Sequence, residues 1–215
     1  MTGTAKLTRK GRATKERIVS AAADLIYEHG VAGTSIEDVR AAAGVSGSQM
    51  THYFQDKRSL VADVVDHQAK VVIEFEGGPE VGVLDSFEAL RGWAAVNVQR
   101  QLDKHCEGGC RLGSLAGEVV ETDLYARARL AVGFAQWERT LREGLQLMYD
   151  RGDLRPDADP EKLAMALLAA LQGGMLLTQT QRDAAPLAAA LDAMLTYVES
   201  FATDPAAVGR GGRDG

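Results

Sequence analysis

Apolar residues recur along this chain at spacings of three and four, and short alternating runs bounded by turn residues are absent, a pattern that predicts an all-α fold. Ile18, Val19, Ala22, Leu25 and Ile26 mark one face of a first helix, and Gly30 stands where a left-handed cap is expected to end it. Ser35 with Asp38 three residues on forms a capping box that opens a short helix of Ile36, Val39 and Ala42, stopped by Gly44. Ser46 with Gln49 repeats the device at once. Two short helices joined through Ala43-Gly44-Val45 have the shape of a helix-turn-helix, the glycine easing a turn that a bulkier residue would strain.

A fourth helix is expected from about Lys57 into the 70s, carrying Leu60, Val61, Val64, Val65, Val71 and Val72 until Gly77-Gly78-Pro79 breaks it. Further helices are predicted around Phe87 to Leu102, from Leu112 to about Val120, and from about Tyr125 to Asp150, the last with Leu130, Phe134, Trp137, Leu141, Leu145 and Met148 on one face. Asp159 followed by Pro160 starts the next, and Pro186 opens the final helix, which carries Leu187, Leu191, Leu195 and Val198. The reading gives about nine helices in total: a three-helix domain over residues 1–56, a larger helical domain over 57–202, and a tail over 203–215 whose Gly, Ala and Asp content predicts disorder.

Charge changes the picture more than composition does. The net charge of −6 argues against a nucleic-acid protein until it is divided along the chain: residues 1–60 carry nine basic and six acidic side chains, and the acidic excess lies beyond them. Lys6, Arg9, Lys10, Arg12, Lys15 and Arg17 crowd the first 17 residues against the single Glu16, so one end suits phosphates. The N-terminus shows no apolar stretch of signal-peptide type, and the most apolar run, Leu163 to Leu177, is shorter than the roughly 20 residues a membrane span needs. A cytoplasmic protein without a membrane partner is expected, and the run reads as a buried interface helix.

The stretch TSIEDVRAAAGVSGSQMTHYFQDKRSLV, Thr34 to Val61, resembles the DNA-binding signature of the tetracycline-repressor (TetR) family. The paired hydroxyls Thr34 and Ser35, then Ala43 to Ser46, then Tyr53 and Phe54, then Lys57 carry the likeness, which extends over roughly residues 13–61. Ser48 stands where that family commonly has Gly, and Thr51 where it has a Tyr that touches a phosphate. Downstream, Gly109-Cys110-Arg111-Leu112-Gly113 with Leu115, Ala116 and Glu118, and Leu171 to Leu177 with Arg182-Asp183, resemble the ligand-binding domain of its LmrA/YxaF-like subgroup. The resemblance implies a homodimeric transcriptional repressor that a small molecule releases from a near-palindromic operator in double-stranded DNA.

The same residues carry a physical reading of their own. The second helix of such a motif lies in the major groove with its N-terminal residues facing base edges, which points to Gly47, Ser48, Gln49 and His52. Gln49 can pair with adenine or complete the cap with Ser46, and both readings stay open. Thr34 and Ser35 at one helix N-terminus and Lys57 at another are expected to hold phosphates. Tyr53 either hydrogen-bonds a phosphate or packs beside Phe54, which is expected in the core.

In the larger domain, the last two helices interleave small residues, Ala164, Ala169, Ala170, Gly173, Gly174 and Ala188 to Ala190 among them, with leucines. They are expected to pair with the same helices of a second copy. Trp93, Phe134, Trp137, Met148 and Met175, with Gln172 and Gln179 as polar hooks, are the expected lining of a cavity for an apolar or aromatic ligand, each having plain core as its alternative. Cys106 and Cys110 beside His105 suggest a second reading, a redox or electrophile sensor, with a metal pair behind it because structural zinc wants further ligands; buried small hydrophobes are the plainer reading. No cofactor is expected. No G-x-S-x-G elbow, phosphate loop, G-x-G-x-x-G or H-E-x-x-H is present, and the four histidines are scattered, so no enzyme is expected.

Overall fold

The computed structural model describes residues 8–79 and 81–204. Among them the chain forms nine α-helices and no strand: α1 Arg9–Gly33, α2 Ile36–Ala43, α3 Gly47–Tyr53, α4 Lys57–Glu76, α5 Phe87–Asp103, α6 Arg111–Val119, α7 Leu124–Asp150, α8 Pro160–Gln181 and α9 Ala185–Glu199. One isolated antiparallel bridge joins Leu154 to Ala202. The starts obey local chemistry: the side chains of Ser35, Ser46, Ser86 and Asp159 each accept a backbone N–H of the following turn, satisfying donors that the helix itself leaves open.

The chain forms two compact units, one through Lys70 together with Ser114–Gly133, the other Val71–Gly113 together with Phe134 onward. This division does not fall at residue 56. Arg58, on the first turn of α4, donates two hydrogen bonds to Asp123 at 3.0 and 3.2 Å, so α4 and the start of α7 share the first unit. The first unit buries Ile18, Val19, Ala22 and Ile26 of α1, Val39 of α2, Met50 of α3 and Leu60, Val61 and Val64 of α4. Apart from Met50, these are positions that the three- and four-residue spacing selected; on α2 the spacing misses by one residue, since Ala42 is exposed and Ala43 is buried in its place.

α1 departs from expectation. Gly30 was to end the helix; instead the backbone bends there (φ 74, ψ 166) and helical turns resume to Gly33. Two contacts hold the bend: Val31 N–H donates to Glu118 Oε2 at 2.6 Å and the Thr34 hydroxyl donates to the Gly30 carbonyl at 2.9 Å. The tail also differs at its start, because Thr203 is tied by its N–H to the Asp153 carbonyl (2.9 Å) and by its hydroxyl to that of Gly152 (2.7 Å). Lys6 of the basic arm and residues 205–215 of the tail lie outside the described residues.

The second unit is built around one apolar cluster with Leu90 and Trp93 of α5, Trp137, Leu141, Leu145 and Met148 of α7, Leu163, Leu167, Leu171 and Met175 of α8, and Leu187, Leu191 and Leu195 of α9. Arg91 of α5 clamps Glu199 of α9 with two bonds of 2.6 Å. Glu76, the last residue of α4, is 1 % exposed. Trp93 Nε1 donates to its Oε2 at 2.7 Å. Burial pushes the Glu76 carboxyl up to about 7, against the pull of the Trp93 and Trp137 indole N–H groups and the Arg100 charge. The folded chain therefore keeps this proton where the unfolded chain has lost it. The resulting stability is complete below the ordinary carboxylate range and disappears as pH rises through about 7. Between about pH 5 and about pH 8 the chain should lose up to about 3 kcal/mol relative to Glu76→Gln, measured by denaturant unfolding. A gap between the two proteins that stays constant with pH contradicts this.

Candidate nucleic-acid interface

The turn between α2 and α3 is a helix stop made by one residue. Gly44 adopts a left-handed conformation (φ 61, ψ 42) and donates its N–H to the Ala41 carbonyl at 3.1 Å, while Val45 N–H reaches the Arg40 carbonyl at 3.2 Å. Side chains brace the same turn: Arg17 Nε donates to the Ala43 carbonyl at 2.9 Å and Arg40 Nη1 to the Val45 carbonyl at 3.2 Å. Arg17 thus belongs to the fold as much as to the basic arm. Lys15 likewise pairs with Asp63 at 2.5 Å. Arg9 and Lys10 are exposed at the start of α1.

α3 presents what the sequence reading required. Gly47, Ser48, Gln49, Thr51 and His52 are exposed, whereas Met50 (2 %) and the following Phe54 (4 %) are buried, so seven residues offer one face to solvent and one to the core. Ser46 Oγ accepts from Gln49 N–H at 3.2 Å and Gln49 Oε1 accepts from Ser46 N–H at 2.9 Å, a complete capping box. The cap reading of Gln49 is thereby realised, and its amide N–H₂ remains to donate to a base acceptor. Two-point pairing with adenine would require the box to open. The short polar side chains keep the helix surface low: Ser48 Oγ lies 3.0 Å from Ser46 Oγ, and Thr51 Oγ1 donates to the Gly47 carbonyl at 3.1 Å. Tyr53 is half-buried against His52, ring centroids 4.9 Å apart.

The two helix starts expected to hold phosphates are already occupied by carboxylates. At α2, Asp38 Oδ2 accepts from the Ser35 N–H (2.9 Å) and hydroxyl (2.6 Å), and these bonds hold the Asp38 carboxyl below its usual range. At α4, Asp56 accepts from Ser59 N–H at 2.8 Å, so Lys57 can meet a phosphate through its own ammonium rather than through the helix end. Thr34 leaves the interface: it is 3 % exposed and its hydroxyl is engaged by Gly30.

Residues that the local patterns did not single out for this purpose fasten the motif from behind. Glu118 holds the α1 bend, and a Cβ on Gly30 would stand 2.9 Å from its Oε2. Asp123 accepts from Arg58 and from the Tyr125 and Ala126 N–H groups, which hold its carboxyl down at about 2. Arg129 pairs with Asp66 and reaches Asp63 at 3.5 Å. A groove of about 620 Å³ in this unit is lined by Lys15, Glu16, Asp63, Asp66, His67 and Lys70, none of them an expected ligand residue.

Of those expected ligand residues, Trp93 and Trp137 are buried and brought to Glu76, and Phe134 stacks on Trp137 with centroids 6.4 Å apart. Met148 and Met175 are core. Gln172 and Gln179 are half-buried; a Cβ on Gly113 would stand 2.8 Å from Gln172 Oε1, and Gln179 faces Gly109 in the same way. Neither cysteine is in a disulfide. Cys106 is buried, and burial pushes the Cys110 thiol up, the reverse of what a reactive thiolate needs. Among the described residues no three His, Cys, Asp or Glu side chains gather for a metal.

This arrangement is a helix-turn-helix DNA-binding module. Residues 18–64 match the family described as bacterial regulatory proteins, tetR family, and residues 86–194 match tetracyclin repressor-like, C-terminal domain. The chain belongs to the TetR family: it is a DNA-binding transcriptional regulator of repressor type and not an enzyme. The LmrA/YxaF-like subgroup is not what the C-terminal match names. An uncharacterized HTH-type transcriptional regulator in the lacX 3′ region of Lactococcus lactis is 28 % identical over 196 residues, 87 % of this chain and 94 % of that one. The HTH-type transcriptional repressor DhaR of Mycobacterium sp. strain GP1 is 25 % identical over 191 residues, 86 % and 89 % of the two chains. The crystal structure of a TetR transcriptional regulator from Chloroflexus aurantiacus superposes with a TM-score of 0.77 at 28 % identity, covering 91 % of this chain and 98 % of that one.

Replacing Glu118 by Ala should lower stability by about 1–2 kcal/mol, because the Val31 N–H loses its charged acceptor, whereas Glu118→Gln should retain most of it. Equal losses in the two variants, measured by denaturant unfolding, would contradict the bend's dependence on that bond.

Proposed function

We propose that the chain is a homodimeric repressor whose α3 reads the major groove of a near-palindromic operator and which a small apolar or aromatic molecule releases. The observation that carries the DNA reading is the split of α3: Gly47, Ser48, Gln49, Thr51 and His52 outward, Met50 inward. A helix whose exposed face is short-chained can lie close to base edges, with Gln49 and His52 the longest side chains on it. Ser46, Tyr53 and Lys57 flank it as backbone-positioning contacts, joined by the exposed basic start of α1.

The homodimer is supported by α8 and α9. Met165, Leu176 and Leu177 of α8 and Tyr197 of α9 are large apolar side chains left 49–63 % exposed on the single chain. α8 also passes, by length and composition alone, for a membrane span, with mean hydropathy 1.4 and 44 % of that window buried. Its buried half belongs to the apolar cluster of the second unit, so a second copy is the partner that fits the other half. Two such chains set two recognition helices about one turn of DNA apart, roughly 34–36 Å. A cytoplasmic location goes with this role. Ligand release requires only that the effector bind the operator-free state more tightly than the operator-bound one.

Operator affinity measured against salt tests the DNA reading. If the dimer neutralises about eight phosphates, log affinity should fall against log salt with a slope of about −7; a slope near zero would refute it.

A further inference from the structure

Glu76 is the one buried carboxyl in the second unit's described residues, and its environment is half finished. Oε2 is held by Trp93 Nε1 at 2.7 Å, but Oε1 has no hydrogen-bond partner although the residue is 1 % exposed. Trp137, 3 % exposed, has an indole N–H close enough to pull on this carboxyl yet without a hydrogen bond of ordinary geometry. The charge of Arg100 acts on Glu76 without a hydrogen bond to it, and its guanidinium lies over the Phe75 ring, 3.6 Å from its centroid. Buried polar atoms are ordinarily satisfied, and an unsatisfied pair inside a regulator's packed C-terminal unit points to a group supplied from outside.

We propose that Glu76 is the anchoring carboxylate for an aromatic organic cation, an ammonium or amidinium on an apolar frame, with the indoles of Trp93 and Trp137 as its immediate surroundings. The inference rests on the ligand-released reading above and names the class of ligand. An N⁺–H donor gives Oε1 the hydrogen bond of ordinary geometry that the nearby Trp137 N–H does not make, and the charge pair forms where water is excluded. Indole faces favour the same cation, and the stacked Phe134–Trp137 pair offers apolar area to its frame. A neutral ligand gains the apolar contact and loses the ion pair, so discrimination between a cation and its neutral isostere is the signature.

The chain contains two tryptophans, Trp93 and Trp137, so its intrinsic emission reports this site directly. The test titrates the full-length protein with 4-tert-butylbenzylammonium and with the matched neutral 4-tert-butylbenzyl alcohol, following tryptophan emission and, in parallel, release of operator DNA. The ammonium should bind saturably and about tenfold or more tighter than the alcohol; Glu76→Gln should erase that difference while leaving alcohol binding within about twofold, and Glu76→Asp should restore part of it. Equal binding of the two probes, an unchanged preference in Glu76→Gln, or binding of neither overturns the proposal. Operator release by the alcohol alone would leave the ligand-released reading standing while removing Glu76 from it; saturation by the ammonium without operator release would do the reverse.

Discussion

A seven-residue helix cannot hold itself together in water, since nucleation costs more than so few bonds return. Every other feature of the first unit can be read as a means of holding α3 in place while leaving its outer face unoccupied. The capping box of Ser46 and Gln49 closes its N-terminus, Gly44 frees the chain to enter it from a left-handed turn, and Met50 and Phe54 anchor its underside. None of these devices uses the face that carries Ser48, Thr51 and His52, beyond short bonds back to the helix itself. Except at Gln49, which both closes the cap and faces outward, rigidity and availability are supplied by different residues.

Polar contacts from distant sequence serve the same end. Glu118, Asp123 and Arg129, all in Ser114–Gly133, attach to Val31, Arg58 and the Asp63–Asp66 turn of α4. These are charge-assisted bonds, shorter and more directional than neutral ones. The first unit is therefore a motif of about fifty residues clasped by a segment far along the chain. The second unit holds its helices by apolar burial and confines its unsatisfied polar atoms to a few side chains, Glu76, Trp137, Gln101 and Gln172 among them.

What could be read from the sequence followed the range of the cause. Caps, glycine stops and Pro160 act within four residues, so all nine helices were legible, most to within a residue or two, and the exposed residues of α3 with them. Gly30 was misread as a terminus because its partner Glu118 lies 87 residues away and leaves no spacing signal. Thr34 looked like a surface hydroxyl for the same reason: the bend that buries it is not local. Glu76 was invisible, since a glutamate at the end of an apolar helix ordinarily faces solvent and only Trp93, from the next helix, reveals otherwise. The start of the tail escaped notice because Thr203 is fixed by carbonyls about fifty residues upstream.

The central claim is that two copies of α3 read DNA across a two-fold axis. Selection of bound sequences from a pool of random duplexes by the purified full-length chain tests it most directly. An enriched inverted repeat with half-sites about one helical turn apart is the predicted outcome. Recovery of sequences indistinguishable from the starting pool, or of a lone half-site without its inverted mate, would contradict it.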